Sequence, residues 1–208
     1  MKFLAALTGI LATATAFVPS APLPSGRRSS ALRMSASDMI GIDVETGGLF
    51  DPLGFSKDEQ SLYRYRAVEL KHGRVAMLAC LGTLVQSYTH LPDDVFSNPR
   101  PLAALAQIST QRPLAVLQIV LALVFIEVTS GKQDPELAPG QIGRFGEAFK
   151  PEGEEEMAAV QLKELKNGRL AMIAIIGQWV QELLTGQGPI EQITAGHISP
   201  FGDGQGLF

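Results

Sequence analysis

Apolar and polar positions along the chain sort into three helical stretches with Gly and Pro between them. The middle stretch is the most apolar: Pro113 opens it, Leu114 to Val128 carry it, and Gly131 closes it. Proline suits a first helical turn, where its missing N–H would have no partner, and glycine suits a helix end. At 1.5 Å per residue, about 18 residues rise ~27 Å, close to one hydrocarbon thickness. The outer two stretches are longer and carry charges. Ser56-x-x-Glu59 has the form of a capping box ahead of the first, and Gly186 with Gly188-Pro189 stops the last. The pattern predicts helices at about 57–89, 113–130 and 157–185.

The outer stretches are copies of one another. Glu69-Leu70-Lys71-His72-Gly73-Arg74-Val75-Ala76-Met77 returns 95 residues later as Glu164-Leu165-Lys166-Asn167-Gly168-Arg169-Leu170-Ala171-Met172. Between 69–86 and 164–181, 11 of 18 positions are identical, where chance gives about one. Two long copies of one unit predict a pseudo-two-fold pair of crossed, tilted helices with the middle helix beside them. Glu69 and Arg74 are five apart, about 140° around the helix, so they face different ways. In a crossed pair each finds the other copy instead: Glu69 with Arg169, and Glu164 with Arg74. Gly73, Ala76, Ala79 and Gly82 recur as Gly168, Ala171, Ala174 and Gly177. Such a stripe permits close backbone approach at the crossing and leaves a slot for a long, thin apolar molecule away from it.

Charge between the helices fits three spans. One side would hold Lys57, Arg64, Arg66, Lys132, Arg144, Lys150 and Lys163, and the other only Arg100 and Arg112. That is a positive-inside asymmetry, which puts the N-terminus of the folded part on the cation-rich side and the C-terminus opposite. Composition agrees. Of 208 residues 46% are hydrophobic and only 18% charged, which is apolar for a soluble domain. The lone Cys80 excludes a disulfide scaffold and a Cys-rich metal site. A net charge of −4 without a basic cluster leaves no nucleic-acid footprint.

Residues 1–34 read as addressing signals rather than fold. Lys2, an apolar run and Ala14-Thr15-Ala16 make residues 1–16 a signal peptide. Residues 17–34 hold Arg27, Arg28, Arg33, four serines and no acid, a transit-like composition. Two signals in series, with Phe17 after the first cut, resemble the bipartite presequences of algae whose plastids derive from a eukaryotic endosymbiont. Removing residues 1–34 takes away four cations and no acid, leaving 13 cations, 21 acids and a net charge of −8 on residues 35–208.

Ionisable groups inside spans are costly and point to function. Glu69 and His72 share a face, as do Glu164 and Asn167. The middle helix adds Gln118 and Glu127; the repeat adds Gln86 and Gln181. Each offers one N or O lone pair, and they are scattered. A protein metal cage needs convergent ligands. A magnesium already held by a tetrapyrrole needs one axial ligand, and oxygen suits it. Scattered single donors therefore suit separate chlorophylls.

At these residues the chain resembles the chlorophyll a/b- and a/c-binding light-harvesting family, most closely the fucoxanthin–chlorophyll a/c branch. The paired E-x-x-[HN]-G-R-x-A-M helices carry the resemblance, which spans residues 41–203. It implies an all-α membrane protein: three transmembrane helices, the first and third a crossed pair, and a short amphipathic lumenal helix at Ile190 to His197. It implies axial chlorophyll ligands at Glu69, His72, Glu164, Asn167 and Gln181, with Gln118 and Glu127 on the middle helix and His197 in the amphipathic one. Gln86 follows from the internal repeat. Gly48 to Phe55 matches the family's carotenoid loop, with Phe50, Asp51, Pro52 and Leu53 at its centre; its counterpart is Pro139 to Phe149, recognisable as Gly143-Arg144-Phe145-Gly146. The implied cofactors are chlorophyll a, chlorophyll c, and fucoxanthin or a related carotenoid, diadinoxanthin included.

The implied role is a non-enzymatic antenna that passes excitation to a photosystem. It would sit as an oligomer among sibling antennae and photosystem I or II cores, in plastid thylakoid lipid, N-terminus stromal and C-terminus lumenal. Two rivals remain at this level. A photoprotective relative would use acids near the lumen, Asp93, Asp94, Glu182, Glu191 and Asp203, which otherwise read as solvated surface charge. A di-iron enzyme would use Glu69-x-x-His72, but needs a second such motif where Asn167 stands.

Overall fold

The computed structural model describes residues 39–42, 48, 50–129, 131–134, 136–142, 150–151 and 153–196. The presequence, Gly143–Gly146, His197 and Asp203 lie outside them. The described residues form helices and turns, with no strand among them.

Helix α1 runs Glu59–Tyr88 and α4 runs Glu154–Thr185. At 30 and 32 residues they rise about 45 and 48 Å, well beyond a hydrocarbon thickness of ~30 Å. They pack on each other more extensively than any other pair of elements. Gly73 and Gly168 mark the crossing: a Cβ on Gly73 would sit 2.9 Å from the Gly168 Cα, and one on Gly168 would sit 3.0 Å from the Gly73 Cα. Ala76, Ala171 and Ile175 are buried beside it, with Met77, Ala79, Cys80 and Met172 packed around them. Repeat-equivalent Thr83 and Gln178 meet further along, at 2.7 Å. The small-residue stripe thus serves as backbone contact at its centre. At Gly82 and Gly177, away from the centre, an added Cβ would meet nothing within 4 Å.

The start of α1 departs from the capping box. Ser56 is occupied elsewhere: its N–H and hydroxyl both donate to Asp51 Oδ2. Asp58 caps the helix instead, accepting from Ser61 N at 3.1 Å. The last helix begins three residues ahead of the expected 157, where Glu154, Glu155 and Glu156 complement the N-terminal end of the helix dipole. It ends on Gly186 at φ +67°, which only glycine adopts without strain.

Between them lie α2 (Pro101–Gln111) and α3 (Pro113–Thr129). The sequence reading had no helix at α2. Arg100 gives it no side-chain cap; Glu182 of α4 does so, its two oxygens each accepting at 3.0 Å, from Leu102 N and Ala103 N. Glu182 is 6% exposed, so it is a buried helix cap and not solvated charge. Arg100 Nη1 adds a bond to Gly186 O at 3.0 Å. Of the other acids grouped with it, Asp93 pairs with Arg112, and Glu191 accepts from Gly188 N at 2.8 Å.

Pro113 breaks the run, and α3 leaves α2 at 108°. Helix α3 keeps Leu117, Ile119, Leu121, Phe125 and Val128 exposed. No single helix among the described residues is both long and apolar enough to cross a membrane by hydropathy; α2 and α3 together pass, as a bent pair. The short α5 (Pro189–Ala195) packs against α1 and α4.

Candidate functional site

The crossing brings together the charges that the repeat placed apart. Arg74 Nε donates to Glu164 Oε1 at 2.6 Å, and Arg169 Nε donates to Glu69 Oε1 at 2.7 Å. Each arginine also reaches a loop carbonyl: Arg74 Nη1 to Gly140 O at 2.6 Å, and Arg169 Nη1 to Gly41 O at 3.0 Å. Both glycines have φ +83°, and each lies against the leucine that follows the opposite helix's glutamate in sequence order, Leu70 for Gly140 and Leu165 for Gly41. The pseudo-symmetry therefore extends into the loops, although Gly41 and Gly140 are 99 and not 95 apart in the sequence.

The donors after each glutamate face outward. His72 and Asn167 are both exposed, at equivalent positions. His72 Nδ1 lies 2.9 Å from Val68 O. A carbonyl only accepts, so this contact calls for a proton on Nδ1, and in the neutral ring that leaves the lone pair on Nε2. That is the donor a metal with one open axial position needs. Gln118 is exposed on α3. Glu127 is not a bare donor: Lys71 Nζ pairs with its Oε1 and also donates to Gly131 O at 3.2 Å. Gln86 and Gln181, equivalent in the repeat, differ in place: Gln86 Nε2 donates to Asn98 O at 3.3 Å, whereas no bond is made by the Gln181 side chain among the described residues.

These outward donors fit tetrapyrrole-bound magnesium and do not fit a protein-held ion. Among the described residues no three His, Cys, Asp or Glu side chains come together to hold a metal. The E-x-x-H of α1 meets no converging acids of the kind a di-iron centre requires among the described residues.

The loop before α1 is built on Asp51. Its Oδ1 accepts from Phe55 N at 2.9 Å, and its Oδ2 accepts from Ser56 N at 2.8 Å. The Ser56 hydroxyl, then the Ser56 and Phe55 N–H groups, lower its pKa from 3.8 to about 2. Gly54 at φ +69° turns the chain into the short 3-10 turn Phe55–Lys57. Phe50 and Leu53 stand exposed, with Pro52 between Asp51 and Leu53. Phe55 and Tyr65 stack edge to face at 5.8 Å. Phe50, Phe55, Leu62 and Tyr65 line a pocket of about 600 Å³ together with Arg66, Glu69 and Arg169. Apolar side chains beside an ion pair suit the polar end of a long apolar molecule.

Several contributors escaped the sequence reading. The sequence pattern uses Arg66 only as one cation of the positive side, yet its Nη1 lies 3.2 Å from Glu69 Oε2; the i,i+3 spacing is a usable signal. Lys71 on Glu127 and Glu182 on α2 had none, because their partners lie 56 and about 80 residues away.

Two crossed helices, neutral at their contact and presenting single outward donors, define a helical scaffold for large apolar metal-bearing cofactors. The family model described as chlorophyll A-B binding protein matches residues 36–183, and the chain belongs to that family. It is 49% identical over 189 residues to a chloroplastic fucoxanthin-chlorophyll a-c binding protein of Chattonella marina var. antiqua, covering 88% of this chain and 86% of the relative. It is 35% identical to fucoxanthin-chlorophyll a-c binding protein E of Macrocystis pyrifera, covering 85% and 88%. To chlorophyll a-b binding protein 6 of Arabidopsis thaliana it is 32% identical, covering 86% and 82%.

Proposed function

We propose that the chain is a light-harvesting antenna of the plastid thylakoid membrane, binding chlorophyll a, chlorophyll c and fucoxanthin or a related carotenoid such as diadinoxanthin. The observation that carries this reading is the pair of internally neutralised crossed helices whose His72 and Asn167 face outward at symmetric positions. Relatives named for fucoxanthin and chlorophyll a-c binding support the pigment set.

In this reading α1, α3 and α4 each span the bilayer. The two long helices carry their charges across because each glutamate is answered by an arginine of the other helix; α3 spans by apolar content. The cation-rich ends lie in the stroma, and α2 and α5 lie at the lumenal surface. Glu69, His72, Glu164, Asn167 and Gln181 hold chlorophyll magnesium, as do Gln118 and Gln86, and Glu127 through the oxygen other than the Oε1 that Lys71 takes; His197 does so past the end of α5. The loop around Phe50, Asp51, Pro52 and Leu53 receives a carotenoid end group in the pocket above Glu69. The bound pigments supply light absorption and excitation transfer. The protein's residues fix spacing and orientation, and helix diameters of about 10–12 Å keep neighbouring pigments close. The excitation passes to a photosystem I or II core, through sibling antenna subunits in an oligomer.

Apoprotein in detergent tests this reading. It should lack cooperative tertiary structure, since helix surface around the outward donors and at Gly82 and Gly177 is not packed by the chain itself, and it should fold when chlorophyll and carotenoid are added. A cooperatively folded apoprotein that takes up no pigment would overturn the proposal.

A further inference from the structure

The two pseudo-symmetric carboxylates are not equivalent, and the difference traces to one residue. Arg66 is 8% exposed on α1. Its Nη1 lies 3.2 Å from Glu69 Oε2, and its Nη2 donates to Ile40 O at 3.0 Å. Glu69 therefore has both oxygens engaged by arginine, Oε1 by Arg169 and Oε2 by Arg66. Ninety-five residues on, the counterpart of Arg66 is Gln161. Glu164 takes Arg74 on Oε1 at 2.6 Å; its Oε2 accepts no hydrogen bond, and no second arginine pairs with it, among the described residues.

We propose that Arg66 is a positioning residue that makes Glu69 the weaker and Glu164 the stronger of the two carboxylate ligands, so that the symmetric halves hold inequivalent chlorophylls. The inference rests on the antenna reading. Magnesium is a hard cation whose attraction follows the charge and free lone pairs of the oxygen offered. A carboxylate oxygen with a guanidinium 3.2 Å away already has its charge partly answered, so it attracts a further cation less. Glu164 has one arginine partner where Glu69 has two. Arg66 also fixes the direction of the Glu69 carboxylate, because the same guanidinium is anchored to the Ile40 carbonyl.

Exchanging the two residues tests this in the full chain reconstituted with chlorophyll a, chlorophyll c and fucoxanthin. Low-temperature absorption and the rate of chlorophyll release under detergent challenge are the readouts; Glu69→Gln and Glu164→Gln identify the two bands. In the wild type the Glu69 pigment leaves first. Arg66→Gln slows that release roughly two- to fivefold, a modest change because Arg169 still answers Oε1 and only the longer second contact is lost, and moves its band toward that of the Glu164 pigment. Arg66→Lys, which keeps the charge, stays near the wild-type rate. Gln161→Arg speeds release at Glu164 by a similar factor. An unmoved band and rate at Glu69 in Arg66→Gln, faster release there, or equal changes at both sites would overturn the inference. Should Arg66→Gln fail to reconstitute, Gln161→Arg decides alone, an unchanged Glu164 pigment being the contrary result. If Glu69→Gln and Glu164→Gln themselves leave every band in place, the ligand reading fails and this inference with it. If they act and the exchange does not, only the role of Arg66 is refuted.

Discussion

Arg74→Leu isolates what the crossed ion pairs contribute. The substitution removes a charged hydrogen bond to Glu164 at 2.6 Å and another to Gly140 O at 2.6 Å. It also leaves Glu164 without a cation. Breaking a buried pair by removing one partner costs about 3–5 kcal/mol. The Arg74 and Glu164 side chains are 36% and 30% exposed, which argues for the lower end, about 3 kcal/mol. For a domain of this size that is a drop of about 6–12 °C in the midpoint of heat-induced pigment loss, at ~2–4 °C per kcal/mol. The assay follows chlorophyll circular dichroism on heating in the reconstituted protein. Adding Glu164→Gln removes the stranded charge and should return about half of the loss. Adding Glu69→Gln instead should lower the midpoint further, because it takes a partner from Arg169. In the mirror experiment, Glu69→Gln should return less to Arg169→Leu, since Arg66 still answers Glu69 at 3.2 Å. Rescue of Arg74→Leu by Glu69→Gln, or none by Glu164→Gln, would refute the crossed arrangement.

Three further outcomes follow from the geometry. Gly73→Ala would place a Cβ 2.9 Å from the Gly168 Cα, so the helices must part; the cost should be about 1–3 kcal/mol, read as a lower pigment-loss midpoint. His72→Phe and Asn167→Phe should each remove about one chlorophyll per chain and leave the helical circular dichroism unchanged, as measured by pigment analysis. Asp51 carries an acid-side signature: its pKa is lowered from 3.8 to about 2, so its contribution to the loop is fully present above about pH 3.8 and is lost as pH falls through about 2. Pigment retention in the wild type and in Asp51→Ala should therefore differ at neutral pH and converge toward pH 2.

The internal repeat made most of the scaffold legible. A shared glutamate, arginine and glycine in two copies required a crossing that pairs unlike charges and brings two glycines together, and Gly73 and Gly168 meet there. What escaped depended on partners distant in sequence. Helix α2 lacks a local cap, and Glu182, about 80 residues away, supplies it; a reading that looks for caps within a few residues passes over such a helix. The Ser56-x-x-Glu59 box failed because Asp51 competes for Ser56, and Asp58 then becomes the better cap. Glu127 looked like a free donor because nothing near it in sequence announces Lys71. Hydropathy scores each arginine and glutamate of α1 and α4 singly, whereas the fold joins them across the crossing.

Fluorescence excitation of the reconstituted protein tests the antenna account most directly. With chlorophyll a, chlorophyll c and fucoxanthin bound, emission from chlorophyll a should be excited through the carotenoid and chlorophyll c bands nearly in proportion to their absorption, and detergent that opens the helix pair should abolish that transfer. Emission excited only through the bands of chlorophyll a itself, with the other pigments bound, would contradict it.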